Sequence, residues 1–320
     1  MRVALALLFF VASAAAAPLD DLARKAAGGS AEAREQIRVQ ADAGDAYAEH
    51  LMGMMHISGK GAEQSDSQAL EWFLRAARKG HADSQHNAAV IYESSSGTLK
   101  DPAEARRWYR AAGEQGLARS QAKLGALFLD GVGGDANLDQ GKYWLEKAAT
   151  QGNPYAKYRL GMLYLEGRGY ERNFATAAML MQQAAEGGDR QGLYQLALLH
   201  GTGAGVEKSD EKALALLRKS ADQGLPEAEF LLSAIYSTGR YGVRRDDKVA
   251  VRWMRRAAVQ GNADAEFSLG LAYAEGRGVQ RDAKEAYGWM LRASRRGHAP
   301  AIAFVKDIEA KLEKKRKPGG

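Results

Sequence analysis

Apolar, small and glycine positions recur along this chain with a period of about 36 residues. The recurrence is clearest when successive units are aligned on the glycine that closes each of them. These closing glycines are Gly44, Gly80, Gly116, Gly152, Gly188, Gly224, Gly261 and Gly297, so six of the seven steps are 36 residues and one is 37. A fixed period in this range is typical of a repeat array.

Each unit predicts two helices when its positions are counted from the preceding closing glycine. Small residues at +2 and +4, apolar residues at +8 and +11 and an aromatic residue or histidine at +12 share one helical face. Glycines at +15 and +17 then end this helix, because glycine adopts positive φ without strain. A second helix has alanine near +25, a bulky residue at +28 and small residues near +32.

The bulky position of the second helix holds every tryptophan of the chain. These residues are Trp72, Trp108, Trp144, Trp253 and Trp289, with Leu180 and Leu216 in the two remaining units. A residue type that stays at one position of a repeat indicates a packing role. We interpret each tryptophan as filling the space between one hairpin and the next.

These positions resemble the Sel1-like repeat, a relative of the tetratricopeptide repeat. Its pattern is A-x-A-(Q/E/K)-Φ-x-L-G-x-L-Y-x-x-G-x-G-V followed by A-x-x-W-x-x-x-A-A-x-x-G, best matched by residues 152–188 and 261–297. The unit at 80–116 departs most, with Ala88 and Ala89 in place of Leu-Gly. The resemblance implies an all-α, right-handed α-solenoid of about seven antiparallel helix hairpins. We predict capping helices over residues 17–44, repeats over 45–297, and a capping helix with a basic tail over 298–320.

The first sixteen residues differ from the repeats and predict a signal peptide over residues 1–16. Met1 and Arg2 precede the short apolar run VALALLFFVA, and small residues SAAAA follow. This order is typical of a cleaved secretory signal, with cleavage expected after Ala16, so we expect a periplasmic or secreted protein. The chain has no cysteine. A secreted branch of the family with penicillin-binding and weak β-lactamase activity is cysteine-rich, so that activity does not carry over.

Positive charge is concentrated at the C-terminal end of the chain. Residues 17–239 hold 25 Lys and Arg against 29 Asp and Glu. Residues 240–300 hold 13 against 7, and residues 306–317 hold 6 against 3, which gives this end a net charge of +9. Such a pole is suited to contact with an anionic surface such as lipid headgroups, with an acidic polysaccharide or with an acidic partner, although a solvated surface without a partner is the alternative. Export and the absence of a nucleic-acid-binding motif exclude nucleic acid as a partner.

Three groups of residues were weighed as sites of chemistry. The glycines of GTGAGV at Gly201–Val206 coincide with the turn positions of the other units, which predicts a turn and no phosphate loop. His50 and His56 lie about 240° apart on a helix, and His50 and His86 on neighbouring helices are too far apart for one metal ion. No catalytic motif stands out. We expect no catalytic residue, no metal, no cofactor and no enzymatic activity.

The remaining candidate is a binding surface on the first helices of the hairpins. Positions +3, +7 and +10 are neither core nor turn and form one stripe, expected on the concave side. Its central members are Arg119, Lys123, Tyr155, Arg159, Met162, Gln191 and Gln195. These residue types are suited to gripping an extended peptide or a helix.

The predicted function is a non-catalytic protein-binding scaffold of the bacterial envelope. The alternatives are a periplasmic immunity or inhibitor protein, a regulator of a sensor kinase and, from another class, a hydrolase of cell-wall or β-lactam substrates, which the lack of cysteine disfavours.

Overall fold

The computed structural model describes residues 17–95 and 97–316. The predicted signal peptide and the last four residues of the predicted basic tail lie outside the described residues. Two compact units make up the chain, and the first ends at Arg159 while the second begins at Leu160. Within the described residues, no helix combines the length and the apolar character needed to cross a membrane.

The described part of the chain is helical. Its α-helices are α1 (Ala17–Ala27), α2 (Ala31–Asp42), α3 (Ala46–Ser58), α4 (Asp66–Arg78), α5 (Ala82–Ser94), α6 (Pro102–Glu114), α7 (Ala118–Asp130), α8 (Leu138–Thr150), α9 (Pro154–Glu166), α10 (Phe174–Glu186), α11 (Arg190–Thr202), α12 (Asp210–Asp222), α13 (Pro226–Thr238), α14 (Asp247–Val259), α15 (Ala263–Glu275), α16 (Ala283–Arg295) and α17 (Ala299–Arg316). A 3-10 turn, Gly97–Leu99, follows α5.

Consecutive helices from α3 to α16 form seven hairpins, one for each unit of the sequence. We call the first helix of a hairpin its A helix (α3, α5, α7, α9, α11, α13, α15) and the second its B helix (α4, α6, α8, α10, α12, α14, α16). The predicted all-α array of about seven 36-residue helix hairpins is confirmed. It is a solenoid-like fold of helix pairs.

Helix ends follow the sequence pattern closely. Each B helix begins after a serine, asparagine or aspartate whose side chain accepts a backbone N–H, as Asn137 does from Gln140. This bond satisfies one of the free donors of the first turn. A helices with a glycine at +15 end there in the left-handed conformation, as at Gly131 with φ 66°. Ser95 replaces that glycine after α5, and its φ of −67° is followed by the 3-10 turn.

The second glycine of several turns has a role that the sequence pattern did not indicate. A Cβ on Gly133 would lie 2.1 Å from the carbonyl oxygen of Pro102, at the start of the preceding B helix. In the second compact unit, a Cβ on Gly205 would lie 2.2 Å from the carbonyl oxygen of Phe174. At these two positions glycine is therefore required both by its positive φ and by close approach to the preceding hairpin. The segment GTGAGV is this turn, as predicted.

The core of a hairpin centres on the residue that follows the tryptophan position. In six of the seven hairpins this residue is almost completely buried, and Met254 of the sixth is half-buried. The six are Phe73, Tyr109, Leu145, Met181, Leu217 and Met290. In four hairpins a glycine of the A helix faces this residue, and a Cβ on Gly125 would lie 2.7 Å from Cγ of Leu145. The pairing lets the two helices of one hairpin approach closely.

The tryptophans pack towards the neighbouring hairpin. A Cβ on Gly113 of α6 would lie 3.5 Å from Cζ3 of Trp144 in α8, one hairpin further on. Trp289 of α16 shares a buried cluster with Ala257 and Ala258 of α14. Both contacts join B helices of successive hairpins, which supports the packing role inferred from the repeat position.

Candidate functional site

The seven candidate residues of the A-helix stripe divide between the two units. Arg119, Lys123, Tyr155 and Arg159 belong to the first unit, and Met162, Gln191 and Gln195 to the second. All seven side chains are partly exposed. From here on, the name stripe refers to the four residues in the first compact unit, Arg119, Lys123, Tyr155 and Arg159.

Arg159 is the most enclosed cation of the stripe. Its Nη2 donates to Oδ1 of Asp130 at 2.8 Å and its Nη1 donates to the hydroxyl of Tyr155 at 3.0 Å. Burial alone would lower the pKa of this guanidinium, but the bonds to Asp130 and Tyr155 outweigh burial and raise the pKa. Only 18% of the side chain is exposed. Arg159 therefore fixes the position of Tyr155 and offers little free surface itself.

Arg119 and Lys123 are paired with carboxylates of the preceding A helix. Arg119 donates to Asp83, which holds the same +3 position one unit earlier. Nζ of Lys123 lies 3.1 Å from both carboxylate oxygens of Glu93. The hydroxyl of Tyr109 donates to Glu93 at 2.6 Å. Burial and the nearby Glu93 raise the pKa of Tyr109, so its hydroxyl remains protonated and donates to the carboxylate.

Positive and negative charges therefore alternate along the stripe. Arg119 is 35% exposed and Lys123 40%, while the partner carboxylates Asp83 and Asp130 are 48% and 47% exposed. The residue types alone indicated a cationic and aromatic surface. Asp83 holds stripe position +3 of its own unit, and only its pairing with Arg119 was not predicted. Glu93 and Asp130 were missed because they come from the preceding units at positions +13 and +14, outside the predicted stripe.

The histidines near the N-terminal end make packing contacts through their ring nitrogens. Nδ1 of His50 and Nδ1 of His81 lie 2.9 and 3.0 Å from the hydroxyl oxygen of Ser84. The two rings are 4.7 Å apart between centroids. Nδ1 of His56 bonds a backbone carbonyl, and Nδ1 of His86 lies 2.8 Å from Oγ of Ser120. The neighbour of His50 is His81, which sequence reasoning did not single out.

Burial controls the protonation of these imidazoles. It lowers the pKa of His50 to about 3, assisted by the positive charges of His81 and Arg119. It likewise lowers the pKa of His86 to about 3, with Arg119 and Lys123 contributing. Among the described residues, no group of three or more His, Cys, Asp or Glu side chains lies close enough together to hold a metal ion.

A polar clamp at position +5 of the A helices was also missed from sequence. In one form a buried glutamine donates to the backbone carbonyl three residues before the closing glycine, as Gln85 does to Ala77 at 3.1 Å. Gln115 of its own B helix donates to Gln85 at 2.8 Å. Gln121 repeats both bonds, with Gly113 and Gln151.

The second form of the clamp uses a buried glutamate and an arginine. Glu49 accepts from Nε of Arg75 at 2.9 Å, and Nη2 of Arg75 donates to the carbonyl of Ala41 at 3.0 Å. Glu229 and Arg256 repeat the arrangement in the second compact unit, where the carbonyl of Ala221 is the backbone acceptor. These buried carboxylates are thus part of the packing between hairpins. The charge of each is balanced by an arginine of its own hairpin.

The basic residues of the C-terminal end converge on two helices. Six exposed arginines form a surface that we call the arginine face. They are Arg252, Arg255 and Arg256 of α14, and Arg292, Arg295 and the C-cap residue Arg296 of α16. Their spacing of three and four residues places each triplet on one side of its helix. The surplus of positive charge seen in the sequence is therefore concentrated on the surface of these two helices.

Comparison with known proteins identifies the repeat. The Sel1 repeat matches residues 46–81, 82–117, 118–153, 154–189, 190–225, 226–262 and 263–298. No curated protein sequence matches the chain.

Solved structures of bacterial proteins share this fold. A protective antigen from uropathogenic Escherichia coli is 31% identical, with a TM-score of 0.60 and coverage of 92% of this chain and 68% of that chain. A Sel1 repeat protein from Oxalobacter formigenes is 29% identical, with a TM-score of 0.64 and coverage of 92% and 86%. An immunity protein from Pseudomonas aeruginosa is 20% identical, with a TM-score of 0.50 and coverage of 67% and 81%, a likeness of fold alone. With seven tandem matches across most of its length, the chain belongs to the Sel1 repeat family.

Proposed function

We propose that this protein is a non-catalytic scaffold that binds a peptide or helix of another protein along the stripe. Sel1 repeats typically mediate protein interactions. The observation that carries the proposal is that Arg119 and Lys123 are held by neighbouring helices and yet remain more than a third exposed. Side chains that are already ordered lose little conformational entropy when a partner binds them.

The alternating charges suggest the chemistry of the partner. Asp83 and Asp130 are exposed beside Arg119 and Arg159, so the stripe offers donors and acceptors at neighbouring positions. A partner segment with acidic and basic side chains one helical turn apart would match this order. Tyr155 adds an aromatic ring, a residue type enriched at protein interfaces.

Export to the periplasm or envelope is part of the proposal. It rests on the charged start, the apolar run and the small residues before Ala17 in the sequence. Signal-peptide cleavage would be tested by N-terminal sequencing of protein recovered from the periplasm. A mature chain that begins at Met1 would contradict it.

Site-specific photocrosslinking in cells tests the stripe directly. A photoreactive residue is placed at position 119 or 155, and the control carries it at position 143 on the B helix α8, where Tyr143 is 45% exposed. We expect one crosslinked protein at both stripe positions and none at the control. Identical crosslinks at all three positions would contradict a partner-specific stripe.

A charge exchange separates binding from folding. Arg119→Asp combined with Asp83→Arg keeps an ion pair between the same two positions but reverses its direction. The melting temperature should stay near that of the unmodified protein, because a surface pair contributes only about 0–1 kcal/mol. The crosslink at position 155 should disappear in the double variant. An undiminished crosslink would show that these charges do not select the partner.

A further inference from the structure

Part of the positive charge of the arginine face is not required by the repeat fold, although Arg256 belongs to the clamp. Basic residues near a helix C-terminus favour the helix dipole, yet α6 and α10 end without a basic residue in their last turns. The positions that correspond to Arg292, Arg295 and Arg296 hold Ala111, Glu114 and Gln115 at the end of α6. In the first hairpin they hold Arg75, Arg78 and Lys79, so the basic triplet is a feature of some hairpins and not of the repeat as a whole.

Little of this charge is neutralised by neighbouring carboxylates. Nε of Arg256 bonds Glu229 at 2.8 Å, and Nε of Arg296 bonds Glu266 at 3.2 Å. Arg255 donates to the hydroxyl of Tyr273, and the guanidinium of Arg292 lies 4.5 Å from the ring centroid of Trp289. These contacts use two carboxylates for four arginines.

The other two arginines keep their charge free. Arg252 and Arg295 form no hydrogen bond or ion pair with the described residues. Glu229 and Glu266 are themselves almost completely buried. Solvent therefore meets guanidinium groups at this surface, with the carboxylates beneath them.

An open cleft of about 440 Å³ lies between the two helices of the arginine face. It is lined by Ala258 and Val259 of α14, by Glu266, and by the α16 triplet of arginines. Val259 is 69% exposed, which is high for a large apolar side chain. An apolar residue surrounded by guanidinium groups matches the interface of a bilayer, where headgroup phosphates lie beside acyl chains.

We propose that the arginine face binds a surface of anionic phospholipid headgroups. Guanidinium groups bind phosphate through paired N–H donors, and six of them spread over two helices match many separate phosphates better than one compact anion. The arginine face and the stripe share no residue, so this inference does not depend on the proposed partner.

Vesicle co-sedimentation of the full chain tests the proposal. Vesicles of phosphatidylcholine that contain about 30% phosphatidylglycerol are compared with vesicles of phosphatidylcholine alone. The first sixteen residues are apolar and common to every variant, so binding to neutral vesicles measures their contribution. We expect a strong preference for the anionic vesicles that weakens as salt rises, because salt screens exposed charges.

The variant pair is matched in charge. Arg292→Gln with Arg295→Gln should weaken binding to the anionic vesicles about 25-fold, at about fivefold for each arginine. The control is Arg78→Gln with Lys219→Gln, two exposed basic residues near the ends of α4 and α12. It removes the same net charge and should stay within about twofold of the original affinity.

Three outcomes would overturn the proposal. The first is equal binding to the two kinds of vesicle, and the second is an equal loss in both double variants, which would reduce the effect to net charge. The third is binding to a soluble polyglutamate peptide without binding to anionic vesicles, which would assign the face to an acidic protein. Matching melting temperatures for the two double variants would show that folding does not cause the difference.

Discussion

The hydroxyl of Tyr241 lies against Gly201, so close that a Cβ on this glycine would be 2.3 Å from the hydroxyl oxygen. Tyr241 belongs to the one-residue insertion of the sixth unit and has φ 55°, a left-handed conformation that is unusual for a bulky residue. The insertion thus sends its aromatic ring back onto the helix α11 of the preceding hairpin. Glycine at position 201 leaves the space for it.

Gly201→Ala should lower the free energy of unfolding by about 1 kcal/mol. The added methyl group overpacks against the tyrosine hydroxyl, which costs about 1–3 kcal/mol, while alanine gains about 1 kcal/mol of helix propensity. In a Tyr241→Phe background the same change should instead be neutral or stabilising. Chemical denaturation of the four proteins of this cycle measures the coupling, and additive effects would refute the contact.

Trp144→Ala should destabilise the protein by about 3–5 kcal/mol, because it removes a buried ring that joins two hairpins. Its neighbour Tyr143 is 45% exposed. Tyr143→Ala is therefore the control, with an expected cost of about 1 kcal/mol or less. Equal midpoints of denaturation for the two variants would contradict the packing assigned to the tryptophan.

The two forms of the clamp should be convertible. Gln85→Glu places an unpaired carboxylate in a buried position and loses the bond to Ala77, at a cost of about 3–5 kcal/mol. Ala111 holds the position that Arg75 occupies in the charged form. Adding Ala111→Arg should recover most of the loss. Thermal melts of the single and double variants check this, and a double variant no better than Gln85→Glu would show that the surroundings differ.

Acidification should weaken the fold below about pH 6.5. Burial lowers the folded-state pKa of His50 and His86 to about 3, so between pH 6.5 and 3 the unfolded chain binds more protons than the folded one. Stability is therefore full above pH 6.5 and falls as the pH drops towards 3. The slope is at most about 1.4 kcal/mol per pH unit for each histidine.

Urea denaturation at pH 7.5, 6.5 and 5.5 measures this slope. The double variant His50→Gln with His86→Gln should flatten the profile over this range. A slope that is unchanged in the double variant would show that these two imidazoles do not control it. His81, whose pKa burial also lowers, would then be the next residue to replace.

The repeat architecture was predictable from sequence because its determinants are local. The period, the helix-ending glycines such as Gly131 and the position of Trp144 each follow from spacing and residue type alone. The stripe was predictable as a set of positions. The pairing of Arg119 with Asp83 was not, because it depends on how far one helix is offset from the next. The same holds for His50 and His81, which are 31 positions apart.

The clamps also could not be predicted from the sequence. Gln85 and Glu49 hold one position of the repeat and look like ordinary polar variation of a surface helix. Their burial becomes apparent only in the structure, where each clamp contacts a backbone carbonyl of the preceding hairpin. Whether a polar residue is surface or core thus depends on a neighbour that the periodic pattern does not specify.

That backbone carbonyl has a consequence for how such chains lengthen. Both forms of the clamp end on the same acceptor, a main-chain oxygen that every preceding hairpin presents whatever its side chains are. A hairpin therefore brings its own polar partner and needs no complementary residue next door. Gene segments that encode single hairpins can be copied or exchanged within such an array without a matching substitution in the adjoining copy.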